Sequence, residues 1–141
     1  MVEKSAPLQI SPLHACLSVV DLNAATIWYR DTLGFEIFQR HEYPDYAVRV
    51  AYMKSNNVEL ELVETKNSMP CRRDDPPAGH VTLRGISQLS FRVDDAKQAM
   101  EQLKNISVKI VFGPVHAPEF NLNAFFIRDN ENNLIEFIER L

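Results

Sequence analysis

An internal repeat constrains this chain more than any other feature, because the pattern of residues 13–35 returns in degraded form from residue 87 onward. Both copies begin with alternating apolar residues, continue with an aspartate and end with apolar residues at helical spacing. The aligned pairs are His14 and Gln88, Leu17 and Phe91, Val19 and Val93, Asp21 and Asp95, Ala25 and Ala99, and Tyr29 and Leu103. Two copies of a unit longer than solenoid repeats indicate a duplicated domain built from two similar modules.

Length and composition favour a single soluble domain. A chain of 141 residues, 45% of them hydrophobic, can bury a full core without dividing into independently folded halves. Its net charge is -4 and its basic residues are scattered, so we expect a small-molecule partner and no nucleic acid. No apolar run approaches the roughly 20 residues that span a bilayer, so no membrane is expected. We expect Cys16 and Cys71 to be thiols in a cytoplasmic protein, because the N-terminal residues lack the apolar segment of a signal peptide.

The first module, about residues 12–66, is predicted to be βαβββ. Asp21 is a natural N-cap and Gly34 a natural stop for a helix between them. Strands are predicted at 13–20, 35–40, 46–53 and 58–64, with a loop at 41–45. Alternation in the first strand places Ala15, Leu17 and Val19 on one side and His14, Cys16 and Ser18 on the other.

The second module, about residues 86–141, repeats this order after an exposed linker at about 67–85, which is rich in proline and mixed charges. We predict a strand at 86–93, a helix from the Asp95 cap to about Asn105, a strand at 108–112, a loop through Pro114 and Pro118, and a hairpin of 124–128 with 134–139. The fold class is therefore α+β, with two βαβββ modules forming curved mixed sheets around a central cleft.

Four polar residues on these strands can bind a metal. They are His14 and Glu61 in the first module and Gln88 and Glu136 in the second. Glu61, displaced by the period of the repeat, falls one residue short of Glu136, so a single inserted residue makes the two glutamates equivalent. If the sheets curl toward each other about a pseudo-twofold axis, the two carboxylates, the imidazole and the amide oxygen can hold one divalent cation. The alternative is that His14 is a hydrogen-bonded core residue.

Other polar side chains receive simpler interpretations. Cys16 is expected to be a small buried hydrophobe, and Glu59 and Glu64 are expected to be solvated. Arg49 and Arg92 lie on predicted strands and could hold an anionic substrate. Arg72 and Arg73 could do the same, although exposure is the ordinary state of arginine. No role is assigned to His80 or His116, which fall in predicted loops.

Further motifs accompany the four candidate metal ligands: Val20-Asp21-Leu22, residues 28–35 (WYRDTLGF), Glu61-Leu62, residues 91–95 (FRVDD), Arg128-Asp129 and residues 133–136 (NLIE). With His14, these motifs resemble those of the vicinal oxygen chelate superfamily, and the resemblance covers residues 12–140. This group includes glyoxalase I, methylmalonyl-CoA epimerase, fosfomycin and bleomycin resistance proteins, and extradiol dioxygenases. The resemblance implies that His14, Glu61, Gln88 and Glu136 occupy the four metal-ligand positions of the family.

Within that group the ligand set is most similar to that of glyoxalase I, which also has glutamates at the positions of Glu61 and Glu136. Gln88 replaces a histidine of the extradiol dioxygenases, which argues against ring cleavage, and epimerases usually differ at Glu61 and at Gln88. The resemblance therefore implies a metal-dependent lyase or isomerase with one divalent ion, Zn, Ni, Co or Mn. The metal would stabilise an enediolate while Glu136, with Glu61 across the metal, moves a proton between adjacent carbons.

Other functions within the same resemblance remain open. A metal-free protein of the bleomycin-resistance type would sequester an aromatic ligand. Its cleft could be lined by Trp28, Phe38, Tyr46, Tyr52 and Phe120, although most of these residues are simply expected in the core. Fosfomycin-type thiol transfer and a relative of the extradiol dioxygenases are weaker alternatives, because each needs a second histidine ligand. Family members are commonly dimers, so we expect a homodimer, with the cleft either within one chain or across the two chains.

Overall fold

The computed structural model of the chain describes residues 6–71, 77 and 79–141. Its strands form two four-stranded sheets, ordered β1-β4-β3-β2 and β5-β8-β7-β6. Short 3₁₀ turns lie at Pro44–Tyr46, His80–Thr82 and Pro118–Phe120. The elements are β1 (His14–Val19), α1 (Leu22–Leu33), β2 (Glu36–Tyr43), β3 (Val48–Ser55), β4 (Val58–Thr65), β5 (Leu89–Arg92), α2 (Ala96–Asn105), β6 (Phe112–Ala117), β7 (Leu122–Arg128) and β8 (Leu134–Arg140).

The two sheets repeat each other strand for strand. In each module the first strand pairs in parallel with the last, and the remaining neighbours pair antiparallel. In each module one helix follows the first strand and leads to the strand at the opposite edge of the sheet, and the chain returns through antiparallel strands to the parallel partner of the first. The predicted α+β fold of two βαβββ modules is therefore confirmed.

Local sequence signals determine where the helices begin and end. The side chains of Asp21 and Asp95 each accept a hydrogen bond from the backbone N–H three residues later, at 2.9 Å in both helices. Gly34 ends α1 with φ 71°, a left-handed conformation that favours glycine. The second helix has no glycine at the corresponding place and ends at Ile106 with negative φ. Both helices match the predicted boundaries.

One hydrophobic core joins the modules. It contains Tyr29 and Phe35 from the first module and Phe125 and Phe137 from the second, all nearly inaccessible to solvent. The hydroxyl of Tyr29 donates to Asp129 Oδ2 at 2.7 Å, and both residues are buried. Helix α1 is thereby fastened to the turn between β7 and β8, which belongs to the other module.

Several strand boundaries differ from the prediction. Strand β2 continues to Tyr43, into the predicted loop at 41–45, and β6 runs over Phe112–Ala117 instead of 108–112. Strand β5 is shorter than predicted, at Leu89–Arg92. Pro114 lies inside β6, where a loop was expected, because β6 is the outer strand of its sheet and a missing N–H is tolerated there.

Three assignments of single residues are also corrected. Cys16 is exposed and not a buried hydrophobe, because it alternates with the core residues of β1 and shares the polar face of His14. Glu64 is not simply solvated, because its carboxylate accepts hydrogen bonds from the backbone N–H of Leu22 at the start of α1 and from Arg49. His116 lies in β6 and not in a loop.

Part of the predicted linker, including Arg72 and Arg73, lies outside the described residues. The described end of the linker contains the 3₁₀ turn at His80–Thr82. In the described parts of the chain, no helix is both long enough and apolar enough to cross a membrane.

Candidate functional site

Strand register places the two predicted site glutamates at equivalent positions. In the parallel pairing of β1 with β4, Cys16 lies opposite Glu61, and in that of β5 with β8, Ser90 lies opposite Glu136. Cys16 follows His14 by two residues, and Ser90 follows Gln88 by two residues. The register agrees with a single residue inserted in the second module.

The module-one pair consists of His14 and Glu61, whose Nε2 and Oε2 atoms lie 3.1 Å apart in a partly buried contact. Tyr52 lies opposite Glu61 on β3 and meets the His14 ring edge to face, with the centroids 5.4 Å apart. Partial desolvation by the neighbouring side chains, followed by the charge of Glu61, raises the pKa of both the Tyr52 phenol and the Cys16 thiol. Glu61 thus has three neighbouring side chains that can donate a hydrogen bond to it, those of His14, Cys16 and Tyr52.

A cleft of about 430 Å³ opens on the sheet surface beside the module-one pair. Its volume is within the range of small-molecule sites, and its lining mixes aromatic and polar groups. The lining residues are Gln39, Arg40, His41, Tyr43, Val50, Tyr52 and Glu61.

The module-two pair consists of Gln88 and Glu136. The amide nitrogen of Gln88 donates to Glu136 Oε2 at 2.7 Å, and the Ser90 hydroxyl donates to the same oxygen at 2.7 Å. The amide oxygen of Gln88 lies 2.6 Å from Nε2 of His80. Phe126 lies opposite Glu136 on β7, with its ring centroid 6.0 Å from that of His80. His80 is a site residue that sequence reasoning missed, because nothing in the linker sequence indicates which strand it meets.

The structure brings the four predicted ligands together as two hydrogen-bonded pairs, one on each sheet. Within residues 6–71, 77 and 79–141, no group of three or more His, Cys, Asp or Glu side chains is arranged to hold a metal ion. Convergence of all four residues on one cation therefore stays a prediction. Their chemistry fits a divalent cation, because carboxylates, imidazole and an amide oxygen are accepted ligands of such ions.

The two predicted substrate arginines have different surroundings. Arg49 makes two hydrogen bonds to Glu64, at 3.0 and 2.6 Å, which holds the pKa of that carboxyl below its ordinary value. Glu64 also accepts the N–H of Leu22 at the start of α1. Arg92 is exposed on β5 and lines a cavity of about 410 Å³ between the modules, together with His14. A substrate-binding role for either arginine stays a prediction.

The fold and the site define a class of protein in which a βαβββ module is duplicated and each copy supplies equivalent polar side chains from its first and last strands. A family model described as the Glyoxalase/Bleomycin resistance protein/Dioxygenase superfamily matches residues 11–137. The chain belongs to this superfamily, also known as the vicinal oxygen chelate superfamily, and the resemblance found in its motifs is confirmed.

Among curated relatives, an ethylmalonyl-CoA/methylmalonyl-CoA epimerase of Cereibacter sphaeroides is 30% identical over 101 residues, which cover 70% of this chain and 72% of the relative. The lactoylglutathione lyase of Neisseria meningitidis is 24% identical over 131 residues, covering 91% of this chain and 89% of the relative. The chain spans only about half the length of the mammalian mitochondrial epimerases that it matches. These relatives support an isomerase-type or lyase-type role.

The fold is also similar to that of solved glyoxalase I structures. The trypanothione-dependent glyoxalase I of Leishmania major has a TM-score of 0.69 and 18% identity, covering 93% of this chain and 87% of that one. At this identity the likeness concerns the fold alone.

Proposed function

We propose that this protein is a metal-dependent lyase or isomerase, similar to glyoxalase I, that moves a proton between adjacent carbons of a small oxygenated substrate. One observation carries the proposal: Glu61 and Glu136 occupy equivalent positions in duplicated sheets, and each is hydrogen-bonded to a second potential ligand. Proton transfer between neighbouring carbons needs a base that removes a proton at one carbon and returns it at the next, and a carboxylate can serve as that base.

The proposed ligands of one divalent cation are His14, Glu61, Gln88 and Glu136. Two carboxylates balance the charge of Zn²⁺, Ni²⁺, Co²⁺ or Mn²⁺, and the donor set suits these ions. When bound, the cation would supply Lewis-acid stabilisation of negative charge on the substrate oxygens. We also propose a homodimer, in which the cleft lies within one chain or across the two chains.

Glu136 is the proposed base, and Glu61 is its counterpart on the other module. The Ser90 hydroxyl and the Gln88 amide both donate to Oε2 of Glu136, so this oxygen is held in place on the sheet. The carboxylate would take the proton from one carbon and return it to the neighbouring carbon. A fixed carboxylate favours such a transfer, because the distance between base and carbon controls its rate.

The substrate class we propose is a thioester or the hemithioacetal that precedes it. The names of the relatives mention methylmalonyl-CoA and lactoylglutathione, both of which are thioesters. A carbon next to such a carbonyl loses a proton readily because the oxygen accepts the resulting charge. Arg92 is exposed and could bind an anionic part of the substrate, whereas Arg49 would first have to leave Glu64.

The experiment that tests the proposal combines metal analysis with proton exchange. The purified protein is loaded with Zn²⁺, Ni²⁺, Co²⁺ or Mn²⁺ and dialysed. It is then incubated in D₂O with methylmalonyl-CoA or with the hemithioacetal of methylglyoxal and glutathione. We expect bound metal together with turnover, observed by NMR as formation of the thioester from the hemithioacetal or as deuterium incorporation beside the carbonyl of methylmalonyl-CoA. Bound metal without turnover of either substrate would contradict the proposed activity.

Ligand sequestration of the bleomycin-resistance type is the second candidate, favoured by the cleft of about 430 Å³ that Tyr43 and Tyr52 line. Of the other aromatic residues considered for it, Phe38 packs against Tyr52, Trp28 packs against Tyr29, and Tyr46 and Phe120 are exposed. Retention of less than about a tenth of an equivalent of metal after loading would favour sequestration, because a protein that sequesters an aromatic molecule needs no bound metal.

A further inference from the structure

Two arginines stand at the ends of neighbouring strands in the second module. Arg92 is the last residue of β5 and Arg140 the last of β8, and both side chains are exposed. In the described parts of the chain neither side chain takes part in a hydrogen bond or an ion pair, whereas Arg30 and Arg49 both do. A shortage of carboxylates is not the reason, because the chain has 19 acidic residues against 15 lysines and arginines.

Strand register places both arginines on the sheet face of the proposed base. Ser90 lies opposite Glu136 and donates to its carboxylate, so these two side chains share one face. Side chains at even spacing along a strand point to the same face. Arg92 follows Ser90 by two residues and Arg140 follows Glu136 by four, so both arginines lie on this face.

The two arginines also line one cavity. Its volume is about 260 Å³, and its lining consists of Ser90, Phe91, Arg92, Ile138 and Arg140. Arg92 in addition lines the cavity of about 410 Å³ that contains His14. Arg92 therefore borders both the region of the proposed cation site and the arginine-lined cavity. A guanidinium group offers a planar fork of donors that suits a carboxylate or a phosphate.

The arginine pair occurs in one module only. The repeat that aligns the site residues places Ser18 at the position of Arg92 and Thr65 at that of Arg140, and neither of these is charged. A site built from two similar modules would otherwise accept an elongated molecule in two orientations. Two cations on one module make these orientations unequal, because an anionic end is attracted only to that side.

We propose that Arg92 and Arg140 form a subsite for an oxyanion, a carboxylate or a phosphate, carried by the thiol part of the substrate. The subsite directs the anionic end of the substrate over β5 and β8 while the reacting carbons lie beside Glu136. This inference deepens the proposed function and rests on it, because it takes the substrate to be a thiol conjugate.

Strand geometry sets the distance between the oxyanion and the reacting carbons. At about 3.3 Å per residue, Arg92 lies about 7 Å along the strand from the level of Glu136, and Arg140 lies about 13 Å from it. A carboxylate bonded directly to a reacting carbon is too near to reach Arg140. The carboxylates of a glutathione conjugate and the phosphates of a CoA conjugate are both further from the thioester, so these two sources are compared.

The test is a set of ¹H–¹⁵N NMR titrations of the labelled protein with S-methylglutathione and with S-methyl-CoA. Neither compound can react, and each titration is recorded without metal and with saturating Zn²⁺. We expect at least one compound to bind and to shift the amide signals of β5 and β8. Binding of S-methylglutathione identifies a carboxylate as the occupant, and binding of S-methyl-CoA identifies a phosphate.

Three variants test whether the arginines hold the oxyanion. Arg92→Gln and Arg140→Gln should each raise the Kd of the bound compound roughly tenfold or more, the usual loss for a hydrogen bond between charged groups. Arg30→Gln makes the same change in net charge but lies on α1, paired with Asp31 and outside both cavities. Its Kd should stay within about twofold of that of the natural protein.

The remaining outcomes overturn the subsite. They are binding of neither compound in either condition, an unchanged Kd in one or both of the Arg92 and Arg140 variants, and an equal loss in Arg30→Gln. The titrations need no turnover, so arginine-dependent binding by a protein without turnover would refute the proposed function and leave the subsite. Turnover with an unchanged KM in both Arg92→Gln and Arg140→Gln would refute the subsite alone.

Discussion

Each site glutamate is held by a neighbour on the parallel strand of its own sheet, and the two neighbours differ chemically. Cys16 lies opposite Glu61, whereas Ser90 lies opposite Glu136 and donates a hydrogen bond to it. Glu61 also has an imidazole partner in His14. The duplicated positions are therefore equivalent in geometry but differ in the hydrogen-bond partners of the two carboxylates.

Replacing the proposed base tests this division. Glu136→Gln keeps an oxygen that can bind a cation but removes the group that accepts the proton. We expect the rate of turnover to fall by roughly 10²- to 10⁴-fold, the usual contribution of a general base, while zinc remains bound. Turnover is measured by NMR and zinc by metal analysis. Glu119→Gln, at an exposed turn, is the control, and unchanged turnover in Glu136→Gln would refute the assignment.

The buried contact between Tyr29 and Asp129 makes a second prediction for single residues. Burial and the adjacent carboxylate raise the pKa of Tyr29 strongly, so its hydroxyl stays a donor. Tyr29→Phe should lower the free energy of unfolding by about 1.5–3 kcal/mol, because it removes a hydrogen bond to a buried charged group. Urea denaturation measures the change. Tyr46→Phe, at a site 78% exposed, should have little effect, and equal effects of the two variants would contradict the prediction.

At the scale of elements, each helix start is bonded to a glutamate near the end of the neighbouring strand. Glu64 on β4 accepts the N–H of Leu22 at 2.7 Å, and Glu139 on β8 accepts that of Ala96 at 3.2 Å. A carboxylate at this position also interacts favourably with the positive end of the helix dipole. Arg49 therefore has a structural function, because it holds Glu64 in place.

The hydrogen bonds of the Glu64 carboxylate to Leu22 and Arg49 predict that the stability of the fold depends on pH. The hydrogen bonds from Arg49, followed by that from the Leu22 backbone, lower the pKa of Glu64 from its ordinary value of 4.5. A lowered pKa in the folded state means that the ionised carboxylate stabilises the fold above pH 4.5. This contribution is lost as the pH falls through the folded-state value. Glu64→Gln should be less stable than the natural protein at pH 7, by about 0.5–1 kcal/mol for a partly exposed pair.

The measurement is urea unfolding of both proteins between pH 7 and pH 3. The difference in unfolding free energy should shrink only below pH 4.5. Glu101→Gln is the control, because its carboxylate forms an exposed ion pair with Lys104 on α2 at 3.4 Å. A difference that stays constant down to pH 3 would show that the charge of Glu64 does not anchor the helix.

Replacing Gly34 or Gly113 by alanine should lower the free energy of unfolding by different amounts. Gly34 has φ 71° and open space where a Cβ would lie, so Gly34→Ala should cost only the left-handed strain of about 1–2 kcal/mol. Gly113 has φ 109°, and its Cβ would lie 2.8 Å from Cβ of Phe125 in the core. Gly113→Ala adds overpacking to strain and should cost about 3 kcal/mol or more, measured by urea denaturation. Equal losses would show that β6 can move away from β7.

At the scale of the whole molecule, one core unites the modules while the polar pairs remain on separate sheets. If both pairs bind the same cation, roughly one zinc ion should bind per chain, as four ligands serve one site. A variant with His14→Ala and Glu61→Ala should then lose zinc although the module-two pair is intact. Metal analysis after dialysis measures both proteins. Stoichiometric zinc in the variant would show that the pairs act independently.

Much of the fold followed from patterns that are local in sequence. The repeat predicted two modules, the aspartates of residues 21 and 95 predicted both helix starts, and Gly34 predicted a helix end, because caps depend on residues a few positions apart. The equivalence of Glu61 and Glu136 followed from the repeat and one inserted residue. The extents of β2 and β6 did not follow, because edge strands tolerate loop-like residues such as Pro114.

The sequence by itself determined the duplicated architecture and the positions of the two carboxylates, because strand alternation and helix periodicity are written into consecutive residues. Only the tertiary structure decided which side chains they meet. The contacts of His80 with Gln88, of Arg49 with Glu64 and of Tyr29 with Asp129 depend on the packing of distant segments. Side-chain partners of this kind carry no sequence signal, since the direction of a side chain is settled only when its sheet, helix and linker are packed together.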